Sequence, residues 1–107
     1  MSSATDVPVT ITPEATAYAA ELGLQDVFER VLDRALKTIP GIRSVLVKYE
    51  PGFEIAPDCV LIEPTVADYD TASEAAKAWG VWRLTEIPPQ QGDYFSLLLI
   101  PELNDEG

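Results

Sequence analysis

From Leu24 to Ile39 the chain reads LQDVFERVLDRALKTI, a pattern that admits few folds. Val27, Phe28, Val31, Leu32, Ala35, Leu36 and Ile39 recur at the i, i+3, i+4, i+7 spacing of one helix face. Gln25, Asp26, Glu29, Arg30, Asp33, Arg34, Lys37 and Thr38 take the opposite side. Asp26 with Arg30 and Asp33 with Lys37 have the acid-before-base i,i+4 order, each pair contributing about 0.2–0.5 kcal/mol. Burying the stripe contributes about 10–15 kcal/mol gross, before ordering entropy is subtracted. A helix this one-sided needs an apolar surface to lie on.

Strands elsewhere in the chain supply that surface. Val7, Val9 and Ile11 alternate with polar residues and Pro8, which suits the start of a strand or an edge. Thr12-Pro13-Glu14 is a helix start, with a hydroxyl cap, proline in the first turn and an acid at the positive end of the dipole. Gly23 bends or splits this helix before the Leu24–Ile39 segment, and Pro40-Gly41 closes it. Arg43–Glu50 is a strand with Val45, Val47 and Tyr49 on one face, and Cys59–Val66 returns antiparallel to it after a loop. Thr71-Ala-Ser-Glu74 has the form of a capping box opening a helix with Ala72, Ala75, Ala76, Trp79 and Trp82 along one stripe. Pro88-Pro89 ends that helix, and Gln90–Asp93 reads as a turn. Tyr94–Ile100 is a nearly all-apolar run, as expected of a strand buried on both sides.

The predicted fold is therefore α+β, a β-α-β-β-α-β two-layer sandwich of ferredoxin-like type, with two βαβ crossovers on one sheet. The 107 residues suit a single domain, with residues 1–6 and 102–107 expected as flexible tails. One sheet face is left open for self-association, and a homodimer is one expected use of it.

Composition narrows the function classes. A net charge of −11 argues against a nucleic-acid backbone or an anionic membrane as partner and favours a basic protein. The absence of histidine removes the commonest general base and transition-metal ligand. Cys59 is the lone cysteine, which leaves no internal disulfide and no cysteine-based zinc site. With no basic leader and no long apolar run, the expectation is a cytoplasmic protein without a cofactor and without enzymatic activity.

The succession ITPEATAYAAELGLQDVFERVL, a strand leading into PGFEIAPDCVLIEPTV, and a Trp-bearing helix ending in IPP resembles a group of uncharacterised small acidic bacterial proteins, many of them cyanobacterial. The likeness spans roughly residues 9–101. The turn Pro-Gly-Phe-Glu-Ile departs from the acidic turn of that group. The resemblance implies a non-enzymatic accessory or antitoxin-like protein that works beside a partner.

Two sets of residues are candidate sites. Trp79 and Trp82 lie three apart on one helix, an aromatic pair that either anchors a partner or fills the core; Tyr49 and Phe53 flank the hairpin loop as a second contact patch. The alternative is a divalent-metal-binding or metal-dependent hydrolase-like domain using Glu54, Asp58 and Glu63, drawn from an acidic run with no Lys or Arg between Lys48 and Lys77. Pro57-Asp58 followed by Glu63 resembles the PD-(D/E)xK nuclease core, but Thr65 stands where that family has its lysine. The run also reads as an ordinary solvated acidic edge. Within CVLI, Cys59 reads as a small buried hydrophobe.

Overall fold

Two helices that share one apolar side meet at Gly23. The structure, a computed structural model, describes residues 7–52 and 58–102. Phe53, Glu54 and the expected tails, Glu102 excepted, lie outside the described residues. Helix α1 (Pro13–Leu22) opens under Thr12, whose Oγ1 accepts from Ala15 N at 3.2 Å. It ends at Gly23, which takes the left-handed conformation (φ 72°), while Leu24 N donates to Ala19 O. That six-to-one closure is a Schellman ending, for which glycine carries no Cβ penalty. The chain then restarts as α2 (Gln25–Thr38), so the predicted interruption is a complete split.

The strands are β1 (Val9–Ile11), β2 (Ile42–Glu50), β3 (Cys59–Val66), β4 (Phe95–Leu97) and β5 (Ile100–Pro101). They join in one mixed sheet, in the order β1-β2-β3-β4, with β5 also beside β3. β1 pairs parallel with β2, β2 antiparallel with β3, and β3 parallel with β4 and β5. The predicted ferredoxin-like order, in which the two crossovers interleave, is corrected here: the crossovers stand side by side. Strand length explains the choice. Among the described residues β2 and β3, with nine and eight residues, are the only strands long enough to carry the core between two neighbours. β1 has three residues and follows Pro8, which suits an edge.

Val45, Val47, Val60, Ile62, Val66 and Phe95 form a single core with Ala15 and Ala19 of α1, Val27, Phe28, Val31 and Ala35 of α2, and Ala72 and Trp79 of α3 (Tyr69–Glu86). The alternate residues Ser44, Leu46, Lys48, Leu61, Glu63 and Thr65 face away from it and are half-buried or exposed. Leu46 is the large exposed hydrophobic on that face, and Lys48 and Glu63 pair across it at 3.3 Å.

Helix α3 is capped three residues earlier than predicted, at Asp68. Asp68 takes both the backbone N–H and the hydroxyl of Thr71, at 3.2 and 2.8 Å, so Thr71 is a donor inside the helix and not its cap. An aspartate with two hydrogen bonds displaces the expected Thr71–Glu74 box. The helix runs unbroken through Gly80 to Glu86, and a short helix α4 (Pro89–Gly92) replaces the expected turn.

The last strand also departs from expectation. It is an edge strand, with Ser96 exposed and Leu98 about half exposed, and it breaks at Leu98-Leu99. Pro64 accounts for the break. The even-numbered residues of β3 turn their polar backbone toward this strand: Val60 N donates to Tyr94 O, Leu98 N to Ile62 O and Glu102 N to Val66 O. Pro64 falls in that series with no N–H to offer, and the ladder lapses opposite it. The bond from Glu102 N, with the Arg43–Glu102 contact at 3.4 Å, ties down a residue expected in the tail. Among the described residues no helix is long and apolar enough to cross a membrane.

Candidate functional site

Asp58 gathers the chemistry of this molecule at one end of the sheet. It stands immediately before β3, where the chain returns from the loop that follows β2. Its Oδ1 accepts from Gly52 N at 2.8 Å, and its Oδ2 accepts from the Tyr49 hydroxyl. Tyr49 belongs to the covered face of β2, opposite Val60. From above, Tyr18 of α1 donates its hydroxyl to the main-chain carbonyl of Asp58 at 3.2 Å. Its ring meets Tyr49 edge-on at 5.1 Å and Tyr94 at 6.2 Å. One aspartate thus closes the loop and, through Tyr18, seats α1 on the sheet.

These bonds set the acid–base character of the cluster. Tyr49 is pushed up to about 12 because its proton is held by Asp58, with burial and the carboxylate charge adding to the effect. Asp58 is held below the usual carboxylate range by the same hydrogen bond and by Gly52 N–H. Burial raises Tyr18, and the nearby charge of Asp58 raises it further. Cys59 is raised by burial, against a smaller lowering from its bond with Ser96, so its thiol is a poor nucleophile.

Beside the cluster lies a cleft of about 270 Å³ lined by Glu14, Ala17, Tyr18, Glu21, Tyr49 and Asp58. Residues 14, 17, 18 and 21 share one face of α1, which brings two carboxylates and a phenol over Tyr49. A larger groove of about 450 Å³ runs between α3 and Ser96–Leu99, its lining mixing small residues of α3 with Tyr69, Lys77, Trp79 and Arg83. Arg83 Nη1 is committed there to Gly92 O at 2.6 Å and faces Asp93 at 3.7 Å.

The sequence candidates fall as follows. Trp79 is buried and its Nε1 donates to Val31 O at 3.0 Å, which fastens α3 to α2. Trp82 is half-buried beneath Arg34 and Arg30, whose guanidinium carbons lie 5.1 and 6.0 Å from its ring. Both tryptophans are thus engaged within the fold. Of the hairpin patch, Tyr49 joins the cleft and Phe53 lies outside the described residues. Of the carboxylates of the metal alternative, Asp58 and Glu63 are not brought together. Asp58 sits at the cleft, whereas Glu63 projects from the opposite sheet face against Lys48; Glu54 lies outside the described residues. No group of three or more His, Cys, Asp or Glu side chains among the described residues is placed to hold a metal ion. The sequence reading missed Glu14, Tyr18 and Glu21 as site residues. Tyr18 and Asp58 are 40 residues apart, and no local spacing announces their meeting.

No protein-family model, curated protein or solved structure matches this chain.

Proposed function

We propose that this chain is a non-catalytic interaction module, of the accessory or antitoxin-like kind, that recognises a basic protein. The observation that carries this reading is the cleft itself: tyrosine rings and carboxylates converge there, and Asp58, Tyr18 and Tyr49 are locked in hydrogen bonds with one another while Glu14 and Glu21 face outward. Asp58 already accepts from two donors, Tyr49 holds its proton to high pH, and the neighbouring thiol is raised. Such groups suit binding better than proton transfer at neutral pH, where a working acid or base needs a pKa near the ambient value. The charge of −11 adds long-range attraction for a basic surface, and a free cysteine accords with a reducing cytoplasmic setting. In this reading the open sheet face, with its Lys48–Glu63 pair, is secondary to the cleft as a docking surface, and pairing with a second copy is the lesser use.

The test is affinity capture from the native cell, with the recovered protein identified by mass and reconstituted from purified components. A one-to-one basic partner released by salt is the expected result. Recovery of the bait alone at low salt sinks the reading.

A further inference from the structure

The cleft has a property that net charge alone does not confer: among the described residues its side-chain polar groups accept hydrogen bonds and have none to donate. Tyr49 spends its O–H on Asp58 Oδ2, and Tyr18 spends its own on Asp58 O. What remains facing the cleft is phenolic lone pairs and the carboxylates of Glu14 and Glu21. No Lys or Arg among the described residues lines it, and neither glutamate makes an ion pair among them. Aromatic walls add a preference for cations that spread their charge over a plane. The volume, about 270 Å³, lies below the 300–1,000 Å³ typical of small-molecule sites, which suits one side chain better than a cofactor.

We propose that the Tyr18–Tyr49 cleft is an arginine-recognition pocket, in which a guanidinium from a partner protein lies against the tyrosines and donates to Glu14 and Glu21. An acceptor-only site calls for a donor-only ligand, and of the two cationic side chains arginine offers five donors in a planar fork that also stacks on aromatic rings. Lysine, a compact and strongly hydrated point charge, uses fewer of these acceptors. The inference rests on the interaction-module reading and specifies its contact.

A capped peptide carrying one arginine, titrated while the tyrosine ring protons are followed by NMR, tests it. Saturable shifts of Tyr18 and Tyr49 are expected, with none from the same peptide carrying uncharged citrulline. Glu14→Gln combined with Glu21→Gln should weaken binding about tenfold. Glu29→Gln with Glu86→Gln, which removes the same charge from α2 and α3, should leave it within about twofold. Equal weakening by both double variants overturns the pocket in favour of diffuse charge attraction. A lysine peptide that binds as tightly overturns the guanidinium assignment. In the capture experiment, a Glu14→Gln/Glu21→Gln chain that recovers partner as well as the native chain overturns the pocket and leaves the module standing. A native chain that captures nothing fails the module, and the peptide titration still decides the pocket.

Discussion

At Asp58 the carboxylate meets the end of β2 and the backbone of Gly52, and the main-chain carbonyl of the same residue meets helix α1. The linkage with pH runs in both directions. Asp58 titrates lower in the folded chain than its ordinary 3.8, so its contribution is complete above that value and is lost as pH falls through the folded pKa. Tyr49 titrates higher, at about 12 against an ordinary 10.0, so its contribution is complete below 10 and is lost as pH rises through about 12. The two shifts share the Tyr49–Asp58 hydrogen bond as their largest cause and do not simply add. Asp58→Asn should therefore flatten the acid limb of the stability curve and return one tyrosine toward ordinary ionisation. Urea melts across pH and the phenolate absorbance check the two halves. A Tyr49 that still ionises near pH 12 in the variant would show that burial, and not Asp58, holds its proton.

Among the elements, two helix-associated glycines make opposite demands. Gly23 has φ 72°, so a side chain there is strained even though an added Cβ meets nothing within 4 Å. Gly23→Ala should cost about 1 kcal/mol or somewhat more. Gly80 is an ordinary helical residue in the middle of α3, and again nothing lies within 4 Å of an added Cβ. Gly80→Ala should stabilise by about 0.5–1 kcal/mol, since the native residue contributes only backbone freedom to be lost on folding. Chemical denaturation of the pair separates conformational strain from helix propensity, because neither change alters packing. Thr12→Ala removes the α1 cap and should cost about 1 kcal/mol. The helix boundaries were legible in the sequence wherever a cap and a stop agreed, as at Thr12 and Gly23. At α3 they were less so, because Asp68 and Thr71 both qualify as caps and only their mutual hydrogen bonds settle which one serves.

For the molecule as a whole, Trp79 joins α3 to α2, two of the helices that cover the sheet, and its indole N–H bond to Val31 O leaves little room for substitution. Trp79→Ala should cost about 3–5 kcal/mol, a large share of the 5–15 kcal/mol that stabilises a domain, whereas Trp82→Ala should cost a fraction of that. Far-UV circular dichroism during urea unfolding distinguishes them. The sequence by itself determined the three long helices and the two long strands and which of their faces turn inward, because helical and strand periods are local properties of hydrophobic spacing. Leu24–Ile39 and the alternation of Val45, Val47 and Tyr49 carry that information without reference to any other segment. Only the tertiary structure decided the lateral order of the strands. The same β-α-β-β-α-β string serves interleaved and side-by-side crossovers alike, and the choice rests on β2 and β3 being long enough to be central. The cleft, likewise, exists only once α1 lies across the sheet: Tyr18 and Asp58 are 40 residues apart, and burial of the common core, not any local pattern, is what makes them neighbours.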